Sequence, residues 1–469
     1  MMLRVSATSL ALLVHLITSL EPSFKEEIIY PHLLEEKSQD GVRILKLNDY
    51  RTLSLIQEPA YMGQLLLRTT EEDGTHFYQQ VSGQEYNKNL FLDRGNLASV
   101  VVNEEDGLQV HGIIGEELRI KPLLGRERSE EGHVAHLLYK EGKVAPGART
   151  TDYVAVPLPG EDILSRDGVV LEERSSARIA LEVHVVTDWT YYRDFYYKKD
   201  DIIVYFGAAL NAINLRYKTV VGLRVQIIIT TGFTFNGHTN EEPYISAVNG
   251  APQYPDMSMT LGKFKDYYNV VRPRPEVDAM VLVTGLDMCA VAGNALQCEL
   301  QGMAFLAGAC NTYKYAVCED QPYSYSIVRT MAHELAHSLG CVHDGSPPYR
   351  KRAGHPGAES CPWSQGYLMS YVQNGTNEFK FSPCCSRQIQ FLARLNGTRC
   401  LHENNTRTSI PKSRYLPGSN VSLDELCEKT FRHTNYALQH DTICIGGKCR
   451  RRKRFPRPKV DARSSSHGN

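Results

Sequence analysis

Hydrophobic and polar positions change rhythm several times along this chain. An apolar run over residues 9–20 follows Arg4 and gives way at once to polar sequence. It is too short to span a bilayer and predicts a secretory signal peptide, residues 1–20, with cleavage near residues 19–24. From residue 21 to about 175, short alternating stretches such as LASVVV and GLQVHGII predict β-strands. The segment ARTTDYVAVPLPGEDILSRDGVVLEERSSAR is rich in Pro, Gly and charge and predicts a linker, with a domain boundary near residues 172–180.

The rhythm then shifts to strands alternating with helices. RIALEVHVVTDW reads as a strand, DDIIVYFGAALNAINLRY as a helix, and TVVGLRVQIIITTGF and AMVLVTG as further strands. GMAFLAGAC is strand-like, and a helix is predicted from about Tyr323 to Leu339. Such alternation implies an α/β domain with a largely parallel sheet. Beyond about residue 399 the regular pattern fades.

At 469 residues the chain calls for two or three domains, and its formal charge of -1 argues against bulk attraction to nucleic acid or membrane. No second apolar run is long enough to form a membrane span. All 12 cysteines lie between Cys289 and Cys449, which fits an oxidising compartment and allows six bridges of unassigned connectivity. Asn374, Asn396, Asn404 and Asn420 stand in glycosylation sequons. Together these features predict a secreted, extracellular protein.

The chemistry concentrates in MAHELAHSLGCVHDG. Residues four apart on a helix share a face, so His333 and His337 can point at one ion at the roughly 2.0–2.1 Å of zinc–nitrogen bonds. A third ligand further along the same axis would be out of reach. Gly340 can end the helix in a left-handed conformation and return His343 to the metal. Three protein ligands leave a position open, the pattern of a catalytic zinc ion rather than a structural one. Such an ion lowers the pKa of water toward about 7, and Glu334 is placed to act as general base. Because metal binding needs neutral imidazoles, activity should decline below about pH 6.

At this motif the chain resembles the metzincin metalloproteases, whose signature adds a methionine turn after the third histidine. GYLMSY supplies Met369, and Asp344 directly after His343 is similar to the reprolysin or ADAM-like branch. DAMVLVTGLD and GMAFLAGAC resemble further reprolysin blocks. The wording around HELAHSLGCVHDG and FKFSPCC is most similar to secreted metalloproteases of tick saliva. LPGSNVSLDELCEKTF resembles the start of the cysteine-rich module of ADAMTS-type proteases.

The resemblance implies a metzincin α/β domain with a mixed five-stranded sheet and an active-site helix. It also implies that substrate lies antiparallel on the edge formed by Gly302, Met303, Ala304, Phe305, Leu306 and Ala307. Many reprolysin propeptides silence the enzyme with a cysteine thiolate, but no cysteine precedes Cys289. Latency is then left to steric cover, to another ligand, or is absent. Tyr371 follows the methionine at the spacing astacins use, where it would either pack or aid the oxyanion.

The expected order is a signal peptide (1–20), a β-rich propeptide (21–177), a reprolysin-like zinc protease domain (178–398), a cysteine-rich module (399–449) and a basic tail (450–469). One zinc ion is the expected cofactor, and extended polypeptides or extracellular proteins, such as host matrix, fibrin or fibrinogen, are the expected substrates. The tail from Arg450 would bind heparan sulfate or acidic surfaces, be processed at Arg451-Arg452-Lys453-Arg454, or remain a solvated extension. His111, His133 and His136 read as surface histidines without a metal. The alternative function is a catalytically silent secreted binder acting through the cysteine-rich module and tail.

Overall fold

A computed structural model describes residues 26–403, apart from 35–40, 71–75, 141–151, 156–177, 239–241, 249–250, 272–275, 293–294, 299 and 374. It also describes the backbone of 442–445 and 448–451. The predicted signal peptide, the basic tail beyond Arg451, Asn374, Asn404 and Asn420 lie outside the described residues. The chain divides into residues 1–407 and 408–469, and the first unit carries everything below.

Eight strands form the sheet that supports the site. Along the chain they are β1 (Gln64–Thr70), β2 (His76–Ser82), β3 (Tyr153–Ala155) and β4 (Arg178–Thr187). They continue as β5 (Arg224–Phe235), β6 (Ala279–Thr284), β7 (Gly302–Leu306) and β8 (Tyr315–Glu319). Their spatial order is β3-β7-β8-β6-β4-β5-β1-β2. Strands β5, β4, β6 and β8 pair in parallel, and β7 is antiparallel to β8. These five make the mixed sheet that the resemblance implies.

The N-terminal region extends that sheet at both ends. β1 pairs in parallel with β5, with β2 antiparallel beyond it, and β3 pairs in parallel with β7. The sequence reading of residues 148–177 as a linker is therefore corrected at Tyr153–Ala155. The alternation in DYVAV, masked by the surrounding Pro, Gly and charge, is a short strand completed by the neighbouring domain.

Both faces of the five-stranded sheet are covered, so its strands are apolar on both sides. In β6, Ala279, Val281 and Val283 face one core, while Met280 and Leu282 face the other. Helices α1 (Lys199–Tyr217) and α3 (Ile327–Ser338) pack on the first side and α2 (Met257–Val271) on the second. Helix α4 (Pro383–Ala393) follows, with Pro383 in its first turn and the Ser382 side chain capping the Cys385 amide.

Residues 26–140 contribute a nine-stranded sheet with its own core of Leu45, Leu55, Val100, Val110, Ile120 and Leu138. This region does not merely adjoin the α/β domain. Tyr61, Leu65, Leu67 and Leu90 belong to the same buried cluster as α1. A Cβ on Gly207 would stand 2.5 Å from Leu90 Cδ1, so glycine makes room for the incoming leucine.

Other expectations need adjustment. Helix α3 starts at Ile327 rather than near Tyr323, because Tyr323 and Tyr325 adopt positive φ of 64° and 60°. Asp320 Oδ1 then accepts from the Ile327 amide at 2.9 Å and serves the new helix start. The histidines read as surface groups are not all exposed. His136 is fully buried, accepting from the Val110 amide at 2.9 Å, and His111 Nδ1 meets Tyr325 Oη at 3.0 Å.

The described cysteines form the bridges Cys289–Cys298, Cys310–Cys400, Cys341–Cys385 and Cys361–Cys384. Among the described residues Cys318, in β8, is a buried free thiol. Cys400, the first cysteine of the segment read as a separate module, is tied to Cys310 in the α/β domain. Among the described residues no helix is long and apolar enough to cross a membrane.

Candidate active site

Helix α3 carries His333, Glu334 and His337, all buried. It ends as the glycine suggests. Gly340 adopts φ +94°, its amide donates to the His337 carbonyl at 2.9 Å, and the Cys341 amide donates to the Ala336 carbonyl at 2.9 Å. This is a Schellman closure, and it turns the chain so that His343 returns to the two helical histidines.

The three imidazoles converge through Nε2. His333 Nε2 lies 3.0 Å from His337 Nε2 and 3.3 Å from His343 Nε2. Nitrogens bound tetrahedrally at about 2.0–2.1 Å stand about 3.3 Å apart, so the spacing fits one metal ion. The tautomers agree. His333 Nδ1 faces the Leu368 carbonyl at 2.8 Å and His337 Nδ1 the Cys341 carbonyl at 2.6 Å. A carbonyl only accepts, so both Nδ1 atoms carry hydrogen and the neutral rings turn Nε2 lone pairs toward one another. Such an array is repulsive unless a cation sits within it. Burial also keeps His337 neutral, pushing its pKa down to about 4.

Glu334 stands beside this array. Its carboxyl is buried, Oε2 has no hydrogen-bond partner, and a Cβ on Gly302 would lie 2.6 Å from Oε1. The absent side chain at Gly302 is what lets the carboxyl occupy that place. Burial first, and the charge of Asp152 second, push the Glu334 carboxyl well above the usual range.

The remaining sequence-predicted residues form the frame. Met369 is buried, and its carbonyl accepts from the Asp344 amide at 3.0 Å. Ser382 Oγ donates to Asp344 Oδ1 at 2.6 Å, tying the turn after His343 to the start of α4. Arg329 braces the turn, donating to the Ser370 carbonyl at 2.8 Å and the Glu378 carbonyl at 2.9 Å. Gly302, Met303, Ala304, Phe305 and Leu306 form β7. Ala307 lies past the strand at φ +56°, its amide used by the His337 carbonyl at 2.8 Å, which leaves it out of the edge. Asn396 is exposed and away from the histidines in sequence, at the start of a short 3-10 helix.

Two residues at the centre escaped the sequence reading in whole or part. Asp152 is buried among the histidines, with Oδ1 3.0 Å from His337 Nε2 and 2.8 Å from His343 Nε2, and Oδ2 3.0 Å from His333 Nε2. Tyr371 donates its hydroxyl to Asp152 Oδ2, and its ring lies 5.2 Å from that of His343. The pattern of Asp before an alternating YVAV, in a region lacking cysteine, is the only sequence signal for Asp152.

Comparison with known proteins agrees with this geometry. Residues 176–382 match the reprolysin-type model of metallo-peptidase family M12. A silkworm (Bombyx mori) protein, "a disintegrin and metalloproteinase with thrombospondin motifs like", is 32% identical over 56% of this chain and 38% of its own length. A venom metalloproteinase antarease of the scorpion Tityus serrulatus is 26% identical over 82% of this chain and 95% of its own. An antarease-like venom metalloproteinase of Tityus trivittatus is 26% identical over 81% of this chain and 94% of its own. The chain thus spans well under half of the silkworm relative and nearly all of the scorpion ones. The family match and the histidine array thus fall on the same stretch, residues 176–382, which is similar to the metallopeptidases of family M12.

Proposed function

We propose that the chain is a secreted enzyme that hydrolyses internal peptide bonds of extracellular proteins, with His333, His337 and His343 holding one zinc ion and Glu334 as general base. The observation that carries this reading is the convergence of three Nε2 atoms beside a buried carboxyl group whose Oε2 has no hydrogen-bond partner. Zinc, when bound, supplies the Lewis acid for the scissile carbonyl and acidifies water. The chain supplies the rest. Glu334 takes the proton of the attacking water and passes it to the leaving amine. The Leu368 and Cys341 carbonyls keep the imidazoles in the ligating tautomer.

Substrate is held as an added strand on β7, which binds main chain and so favours extended polypeptides with little demand on sequence. Residues 21–177 act as a propeptide removed at maturation. The resemblance to tick salivary enzymes suggests host matrix, fibrin or fibrinogen as targets, and the scorpion relatives are themselves venom metalloproteinases. Incubating the matured enzyme with gelatin and fibrinogen tests this. Chelator-sensitive cleavage of either is expected, and intact chains after prolonged incubation would remove these substrates.

A further inference from the structure

The N-terminal region reaches the zinc site with one carboxylate and one strand, and both are arranged to block it. Asp152 places its oxygens 2.8–3.0 Å from all three Nε2 atoms. With the histidine spacings of 3.0 and 3.3 Å, the four side chains enclose one ion-sized position. Neutral imidazoles with hydrogen on Nδ1 cannot donate to a carboxylate from Nε2. A cation between them turns these contacts from repulsive to attractive. Three further observations fix the carboxylate there: its burial, the Tyr371 hydroxyl on Oδ2, and the Ala304 amide donating to the Asp152 carbonyl at 3.2 Å.

We infer that Asp152 is the fourth zinc ligand of the uncleaved chain, and that β3 on the substrate edge makes this carboxylate a releasable latch. The inference rests on the zinc-protease reading above. Tyr153, Val154 and Ala155 pair with Ala304, Phe305 and Leu306 in parallel, opposite to the direction expected of substrate. The strand thus fills the edge while its direction is wrong for presenting a scissile bond. The Tyr153 ring adds cover, 4.8 Å from that of His337 and 5.4 Å from that of His343. Cleavage between Ala155 and Arg178 frees β3 from the α/β domain, and a strand of three residues has little to hold it alone. Its departure opens both the fourth metal position and the edge, and leaves the Tyr371 hydroxyl facing the emptied place.

The test uses the full chain carrying Glu334→Ala, which keeps the ligands and lacks the proposed base, loaded with Co2+ in place of zinc. The visible spectrum then reports the ligand set without any turnover. A carboxylate-filled site gives a spectrum that does not titrate near neutral pH and excludes acetohydroxamate. Adding Asp152→Ala should shift the spectrum, make it pH-dependent, and tighten acetohydroxamate binding by about a hundredfold, since the probe no longer competes with a tethered ligand. Asp152→Asn keeps the size and the Tyr371 contact, so the same change in this variant identifies the charge rather than a disturbed fold. Stoichiometric cobalt with the same spectrum and probe affinity in all three chains would overturn the latch alone. Failure of the parent to bind cobalt would overturn the zinc reading and the latch together.

Discussion

Single residues in this protein are chosen for what stands opposite them. Gly302 is the sharpest case, because any side chain there meets the Glu334 carboxyl. Gly302→Ala should retain one zinc per chain and lose about a hundredfold in kcat/KM, as a displacement of about 1 Å at a catalytic group does. Metal content and peptide hydrolysis measured side by side would check it, and activity within a few-fold of the parent would contradict the placement. Asp278 gives a prediction on stability. Burial first raises its pKa to about 7, although its carboxylate accepts from the Glu182 amide at 3.0 Å. A folded pKa above the unfolded value of about 3.9 means that the native state holds the proton longer, so this stability is complete below about pH 4 and lost as pH rises through 7. Asp278→Asn should therefore raise the melting temperature at pH 8, with a ceiling of about 4 kcal/mol, and give no advantage at pH 4. The histidines and Glu334 were legible in the sequence because one helix and one glycine set their geometry. Asp152 is far less legible, since its partners lie about 180 residues away and the short alternation after it is the only local sign.

At the scale of elements, periodicity was a sound guide wherever a segment packs on its own neighbours. Strands β4, β5 and β6 and helix α1 fall where alternation and helical spacing predict them. β3 was missed because three residues acquire strand character only by pairing with β7, which is tertiary context rather than propensity. The start of α3 was placed too early because nothing in the sequence announces positive φ at Tyr323 and Tyr325. The closure of α3 matters most for function, since it alone brings His343 back. Gly340→Ala keeps ordinary contacts, with Leu392 Cβ 3.6 Å from the new atom, yet must hold φ at +94°. That strain should cost about 1–2 kcal/mol and loosen the metal, read as a lower denaturation midpoint and faster zinc loss to a chelator. An unchanged midpoint would mean that the turn relaxes without harm.

For the whole molecule, the N-terminal region is the part least visible from sequence. Strand patterns predicted its β-rich character, but not that it adds strands to both ends of the α/β sheet or shares a core with α1. Such intergrowth predicts a folding role beside the latch. The chain begun at residue 178 exposes both sheet edges and the surface under Tyr61, Leu65 and Leu90, a liability for aggregation. Its soluble yield should be poor and should recover when residues 26–155 are supplied as a separate chain during refolding. Equal yields without that help would show that the two regions fold independently.

Zinc-dependent endopeptidase chemistry with Glu334 as base is best measured on the chain folded whole and then matured by cleavage between Ala155 and Arg178. Zinc content and hydrolysis of gelatin would be measured for this enzyme and for Glu334→Gln, each with and without a chelator. One zinc is expected in both, with chelator-sensitive hydrolysis in the parent and a loss of at least about a thousandfold in the variant. Equal hydrolysis by the two zinc-loaded proteins, or cleavage that survives complete removal of the metal, would contradict it.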